Sequence, residues 1–175
     1  MFSDPIKNVE QLGIRLGSVV VDLGSGSGHY AKVSARVVGE SGKVYAVDIQ
    51  KDMLTRLKND AGKEGFKNIE IVWGDIEKMG GTKLKDELAD TALITNLMFQ
   101  IEDKPSVAKE AFRIVKHGGK LLVVDWTDSF GGLGPHEEVV FSEGKALELF
   151  GNAGFVKEKN IEAGEHHYGI IFSKQ

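Results

Sequence analysis

A short apolar run that ends in a glycine-rich turn, Val19-Val20-Val21-Asp22-Leu23-Gly24-Ser25-Gly26-Ser27-Gly28-His29-Tyr30, constrains this chain more than any other feature. Three consecutive valines suit a buried strand. Ala31, Val33, Ala35 and Val38 then recur at the spacing of one helix face. Glycines at the junction let the backbone turn tightly with positive φ and keep Cβ atoms away from an approaching ligand. The free N–H groups of the incoming helix would attract an anionic group there.

The rest of the chain repeats this alternation. Apolar runs at 44–47, 69–73, 91–95 and 120–125 show little polar alternation, which predicts strands covered on both faces, as in a parallel sheet. Met53, Leu54, Leu57 and Ala61 predict a second helix that stops at Gly62 and Gly65. A third begins near Asp103-Lys104-Pro105, carries Val107, Ala111, Ile114 and Val115 on one stripe, and ends with Lys116-His117-Gly118-Gly119. After residue 125 comes Phe130-Gly131-Gly132-Leu133-Gly134-Pro135, then a helix near 142–150 and two strand candidates, 155–161 and 168–173, short enough in connection to form an antiparallel hairpin. The expected fold is α/β: a single doubly wound, mostly parallel sheet with helices on both faces and ligands at the carboxyl ends of its strands. At 175 residues one domain, 1–175, is expected, with a segment ahead of Val19 too short for a multi-helix cap.

Composition narrows the chemistry. There is no cysteine, which removes disulfide scaffolds, thiolate-ligated zinc or iron–sulfur sites and thiolate nucleophiles. Lys plus Arg number 22 against 26 Asp plus Glu, a balance that argues against broad charge-driven nucleic-acid binding while leaving room for a local basic patch. Met1-Phe2-Ser3-Asp4-Pro5 shows no basic-then-apolar signal pattern, and no apolar stretch reaches the ~18 residues of a membrane span. A soluble, cytoplasmic protein is expected.

Asp48 closes the second strand candidate, 20 residues beyond Gly28. A carboxylate at that point can accept hydrogen bonds from the vicinal hydroxyls of a ribose, so the turn and the acid together point to an adenosine-containing ligand. Glycine spacing separates the candidate ligands. A dinucleotide site wants G-x-G-x-x-G/A, and here the third position falls on the bulky His29. The observed D-x-G-x-G-x-G, Asp22 to Gly28, instead resembles the first motif of the S-adenosylmethionine-dependent methyltransferases with a Rossmann-like fold (class I). Val44-Tyr45-Ala46-Val47-Asp48-Ile49 resembles the family's second-strand motif, and Trp73-Gly74-Asp75-Ile76 its third. Ala89-Asp90-Thr91 through Asn96, with Leu97-Met98-Phe99-Gln100, resembles the fourth strand and its active-site end. Lys116-His117-Gly118-Gly119-Lys120-Leu121 is similar to the L-K-P-G-G lead into strand five, with His117 where Pro is common. The motifs cover residues 15–125 and the remainder matches by topology. Among members, the chain is loosely similar to ubiquinone and menaquinone biosynthesis methyltransferases.

The resemblance implies a seven-stranded sheet of order 3-2-1-4-5-7-6 with the last strand antiparallel, and S-adenosyl-L-methionine as cofactor. Gly24, Ser25, Gly26 and Gly28 would line its methionine part, with Asp22 and Asn96 near the ammonium. Asp48 would take the ribose, and Gly74 and Asp75 the adenine edge, with Ile49 and Ile76 sandwiching the ring. Each acid also has a plainer reading: Asp22 as a turn cap, Asp75 as a solvated strand end. Methyl transfer by in-line displacement needs alignment, a dry pocket and, for a protonated nucleophile, a base; it demands no metal. His167 and Asp125 are the candidate catalytic groups, and Phe99, Gln100, Trp126, His166 and Tyr168 the candidate acceptor-binding ones. Neighbouring His166 and His167 would face opposite sides of a strand and so not chelate one ion. Residues 131–135 read either as a lid or as a simple excursion. Without cysteine, thiolate-dependent cytosine C5 methylation and arsenic methylation through cysteine ligands are disfavoured. Asn96-Leu97-Met98-Phe99 also lacks the prolines of the N/D-P-P-Y/F motif of base amino-methyltransferases. The expected function is methyl transfer to a small-molecule acceptor. The alternatives are an RNA-modifying methyltransferase and a non-catalytic S-adenosylmethionine-binding protein.

Overall fold

The valine-rich runs become the centre of a seven-stranded sheet in the computed structural model, which describes residues 3–130 and 132–175. The strands are β1 (Val19–Leu23), β2 (Lys43–Asp48), β3 (Ile69–Trp73), β4 (Ala89–Thr95), β5 (Val115–Trp126), β6 (Phe155–Ile161) and β7 (His167–Lys174). Their order is β3-β2-β1-β4-β5-β7-β6, the order the resemblance implied. The first five are parallel, and β7 runs antiparallel to both β5 and β6. Register aligns the carboxyl ends of the central strands: Leu23 pairs with Val47 and with Ile94, and Asp48 with Trp73. Residues following β1, β2, β3 and β4 therefore emerge along one edge.

Five helices cover the faces: α1 (Pro5–Glu10), α2 (His29–Val38), α3 (Lys51–Lys63), α4 (Lys104–Ile114) and α5 (Glu143–Asn152). Alternate residues of β1 split between two cores. Val21 and Leu23 pack with Val107, Ala111 and Ile114 of α4 and Phe150 of α5. Val20 packs on the other side with Ala31, Ala35 and Val38 of α2 and Leu57 of α3. Each fully buried aliphatic contributes about 1.5–3 kcal/mol, which fixes the strand faces and with them the direction of every residue at the carboxyl edge.

Helix starts follow local chemistry. The Asp103 carboxylate accepts from Ser106 N at 3.1 Å with Pro105 in the first turn, and Ser142 Oγ accepts from Lys145 N at 3.4 Å. One sequence expectation needs correction. The third expected helix does not run to Gly119: α4 stops at Ile114, and Val115 already pairs with Ala89 as the first residue of β5. Pairing with β4 satisfies backbone groups that a further helical turn into Gly118-Gly119 would not. The segment ahead of β1 also holds a helix, α1, capped by Asp4, whose carboxylate accepts from Ile6 N at 3.0 Å. Asn8 Nδ2 ties α1 to Tyr30 Oη of α2 at 2.7 Å, and Gln11 exchanges two 3.2 Å bonds with the Glu162 backbone.

Met1 and Phe2 of the expected signal-free terminus, and Gly131 of the lid-or-excursion segment, lie outside the described residues. No helix among the described residues is long and apolar enough to cross a membrane.

Candidate functional site

The glycine-rich turn is braced by the neighbouring strand. Gly24 N and Ser25 N both donate to Val47 O, at 2.8 and 2.9 Å, and Gly28 N donates back to Ser25 O at 2.8 Å. Asp48 completes the brace: one carboxylate oxygen accepts from Gly26 N and the other from Gln50 N, each at 2.8 Å. An ionised carboxylate offers about four lone-pair sites, so two remain for further donors. The glycines divide the work. At Gly26, φ is 51° and a Cβ would meet nothing within 4 Å, so its side-chain space is open. At Gly28, φ is 77° and a Cβ would overlap the buried Leu57 side chain, so its space belongs to the contact between α2 and α3.

Above this turn lies a cavity of about 760 Å³ at the carboxyl edge of the sheet. That volume suits a cofactor-sized ligand. The glycine turn, with His29 and Tyr30, forms one wall; Asp48, Ile49, Gln50 and Met53 form the next. Gly74, Asp75, Ile76 and Glu77 follow β3, and Thr95, Asn96, Leu97, Gln100 and Ile101 follow β4. Ser3 and Pro5 close the remaining side. The fold thus brings together Gly24, Ser25, Gly26, Asp48, Ile49, Gly74, Asp75, Ile76 and Asn96 of the expected cofactor residues. Asp22 and Gly28 lie just outside the lining.

Several polar atoms at the glycine turn have no hydrogen-bond partner among the described residues. Ser25 Oγ and Asn96 Oδ1 are buried in this state, and so is the Asp22 carboxylate, which has the Ala31 N–H nearby but no hydrogen bond of good geometry. Burial pushes the Asp22 carboxyl up to about 7; the Ala31 N–H offsets this in part, and the Asp48 charge adds to it. Asn96 is held at φ 51° while its N–H donates to Val124 O at 2.8 Å, so its side chain is placed by a backbone conformation that Asn tolerates better than most residues. Buried unpaired acceptors are costly in a finished core and expected where a donor-rich ligand binds.

Asp75 is partly engaged already. One oxygen accepts from Glu77 N at 3.0 Å and the other pairs with Lys78 Nζ at 2.9 Å, and Lys78 is the main reason its carboxyl sits below the usual range.

The other expected site residues gather elsewhere. Asp125 is fully buried, and its two oxygens accept from Met98 N at 2.8 Å and Trp126 N at 2.9 Å. It brackets the 3₁₀ turn Met98–Gln100 that follows β4. Burial raises its carboxyl to about 6, with the Trp126, Met98, Leu97 and Phe99 N–H groups pulling the other way. His167 donates from Nδ1 to Glu165 O at 2.9 Å and lies against Trp126 with ring centroids 4.2 Å apart. Its Nε2 is buried without a partner, and burial holds the ring below the usual histidine value. His166, at φ 63°, bonds the Asp128 carboxylate at 2.8 Å and stacks on Phe130 at 4.1 Å. The two histidines thus turn to separate partners. Tyr168 Oη is buried and unpaired, its phenol raised by burial first and Asp125 second.

Of the acceptor-side candidates only Gln100 lines the cavity; Phe99, Trp126, His166 and Tyr168 do not, nor do His167 and Asp125. Asp125 brackets the loop after β4 through Met98 N and Trp126 N. Sequence reasoning missed Ser3, Pro5, Tyr30, Met53, Leu97 and Ile101. Tyr30 was within reach of it, since the first turn of a helix after a glycine-rich turn faces the same ligand as the turn. Ser3 and Pro5 depend on α1, whose Asp4-Pro5 start was also visible.

Comparison with known proteins agrees with this geometry. A methyltransferase-domain family matches residues 14–153. Human arsenite methyltransferase is 33% identical over 150 residues, spanning 82% of this chain and 39% of that protein. The ubiquinone/menaquinone biosynthesis C-methyltransferase UbiE of Cronobacter sakazakii is 34% identical over 119 residues, spanning 66% of this chain and 45% of its own length. The chain thus spans less than half of these curated relatives. A crystal structure of a SAM-dependent methyltransferase from Aquifex aeolicus superposes with a TM-score of 0.88 at 28% identity, covering 98% of this chain and 89% of that one. The chain belongs to the class I S-adenosylmethionine-dependent methyltransferase family.

Proposed function

We propose that this chain binds S-adenosylmethionine in the edge cavity and transfers its methyl group to a small organic acceptor. The observation that carries the reading is the convergence on one cavity of two unlike groups of side chains. The buried oxygens of Ser25 and Asn96 at the cavity wall, unpaired among the described residues, with the buried Asp22 carboxylate just behind them, suit an ammonium donor. Asp48, with two lone-pair sites to spare, suits a ribose, and Ile49 and Ile76 offer apolar surface to a purine.

When bound, the cofactor supplies an electrophilic methyl on a sulfonium. The chain's own residues supply position and dryness. Asp22 and Asn96 would fix the methionine end, Asp48 the ribose, and the residue 74–77 segment the adenine. Leu97, Ile101 and Pro5 exclude water where the acceptor would enter, and Gln100 offers it a polar contact. The cavity lining includes three carboxylates, Asp48, Asp75 and Glu77, which favour a cationic cofactor over its neutral-sulfur product.

The name of the human relative raises arsenite as an acceptor. Trivalent arsenic is soft and favours thiolate ligands, and none of the 175 residues is cysteine. An organic acceptor with an apolar face, like the quinone precursors that the name UbiE implies, fits Leu97, Ile101 and Pro5 better. The reaction belongs in the cytoplasm, where such a soluble core would meet metabolites.

Transfer of label from methyl-tritiated S-adenosylmethionine into fractionated cell extract tests this. Label in the small-molecule fraction is expected. Label confined to RNA would assign the alternative acceptor class, and none in either fraction, with cofactor binding verified, would assign a non-catalytic binding role.

A further inference from the structure

The adenine end of the cavity is built on a turn that α4 holds from behind. Gly81 O accepts from Asp75 N at 3.1 Å, and a Cβ on Gly74 would come within 2.8 Å of Gly81 O and 2.9 Å of Thr82 Cα. The turn around Gly81 therefore sits directly against the two residues that open the 74–77 wall. That turn is anchored by one buried side chain. Glu110 of α4, with no exposed surface, accepts from Gly80 N at 2.8 Å through one oxygen and from Thr82 Oγ1 at 2.6 Å through the other.

Arg113, one helical turn on, makes the anchor rigid. It grips both Glu110 oxygens, at 2.9 and 2.7 Å, in a bidentate fork. It also reaches past them to Leu84 O at 2.8 Å and the Asp86 carboxylate at 2.6 Å. At the other end of the wall, Glu77 accepts from Glu102 N at 3.0 Å and Asp103 N at 2.6 Å, the residues that open α4. A buried ion pair of this kind is a doubtful source of stability, because desolvation of both charges offsets their attraction. Its geometric effect is definite: it fixes where Gly80 and Thr82 lie, and they fix Gly74 and Asp75.

We infer that Glu110 and Arg113 are positioning residues for purine recognition, holding the 74–77 wall at the spacing that reads a 6-amino group. This rests on the assignment of that wall to adenine under the proposed function. Neither residue lines the cavity; they act through the turn.

The test is ligand discrimination rather than affinity alone. Binding of S-adenosylhomocysteine and of its 6-oxo analogue, S-inosylhomocysteine, is measured by calorimetry on the full chain and on Glu110→Gln. The original chain should prefer the amino form by about tenfold, the worth of one well-placed hydrogen bond. Glu110→Gln should lower that preference at least threefold. Thr82→Val, which keeps the volume and removes the hydroxyl, should lower it in the same direction and serves if Glu110→Gln does not fold. Ile171→Ala, in the core on the opposite face of the sheet from α4, controls for general loosening and should leave the ratio unchanged at a similar loss of thermal stability.

An unchanged ratio in both turn variants would overturn the inference, as would an equal fall in Ile171→Ala. If the original chain binds both ligands without preference, the adenine assignment fails and the inference with it. If it binds neither, the proposed function itself fails, a separate and recognisable result.

Discussion

Two stretches of the same sheet edge behave in opposite ways. Over β1 to β4, polar groups are left unsatisfied around an open cavity: Ser25 Oγ and Asn96 Oδ1 lack partners among the described residues, the buried Asp22 carboxylate behind them has no hydrogen bond of good geometry, and Gly26 keeps its side-chain space free. Over β5 and β7, polar groups are mostly spent on one another. Asp125 is used by backbone N–H groups, His166 by Asp128, and the rings of Phe130 and Trp126 by the two histidines. His167 Nε2 and Tyr168 Oη are the exceptions there among the described residues, and neither residue lines the edge cavity. Chemistry-bearing residue types occur in both stretches, so residue type alone does not mark a site. Unpaired buried groups facing open space do.

The sharpest way to break this contrast is to replace an acid on each side. Asp48→Ala removes the brace on Gly26 and the ribose acceptor together, and should weaken S-adenosylhomocysteine binding by about a hundredfold or more in calorimetry. Asp125→Asn should do the reverse. It replaces an acceptor of two N–H groups by an amide that accepts through one atom, so thermal unfolding should show a loss of about 2–4 kcal/mol while ligand affinity in the folded protein changes by less than about threefold.

The glycines sharpen the comparison within the cofactor half. Gly28→Ala forces a Cβ into Leu57 at positive φ and should cost about 2–4 kcal/mol of stability. Gly26→Ala meets only the backbone penalty of about 1–2 kcal/mol in the free protein, yet should lose about tenfold in ligand affinity because its methyl enters the cavity. Equal effects of the two on affinity would erase the division of labour drawn here.

Acidity gives a further separation. The Asp22 carboxyl moves from 3.8 to about 7 on folding. Between those values the free native protein holds a proton that the unfolded chain has released, so this group makes stability fall as pH rises across that window. A bound ammonium favours the charged carboxylate, so S-adenosylmethionine affinity should rise with pH up to about 7, by at most about tenfold per unit, and then level off. Calorimetry in buffers of different ionisation enthalpy should show proton release on binding at pH 6 and little at pH 8. Asp22→Asn should flatten both. The smallest effect is expected from His167→Gln, whose ring lies outside the cavity: less than about twofold on cofactor affinity.

Much of this was legible in the sequence because the determinants are local. The strand, turn and helix from Val19 to Val38 lie within one short segment, and Asp48 follows at a spacing set by one βαβ crossover. Sheet order was legible through the family motifs rather than through periodicity. What was not legible depends on distant partners. Val115 fits the helical stripe of Val107, Ala111 and Ile114 as well as it fits a strand, and only pairing with Ala89 decides it. Asp125 reads as a candidate base in the sequence, and its contact with Met98 N, 27 residues away, is visible only in the fold. The partners of the histidines, Asp128 and Phe130 for His166 and Trp126 for His167, are likewise not readable from their local sequence.

The central claim is that the edge cavity is an S-adenosylmethionine site, and isothermal calorimetry of the full chain with S-adenosylmethionine, S-adenosylhomocysteine and NAD tests it most directly. The account predicts one-to-one binding of the first two, abolished by Asp48→Ala, and no heat with NAD. Tight binding of NAD alone, or S-adenosylmethionine binding that survives Asp48→Ala undiminished in a folded protein, would contradict it.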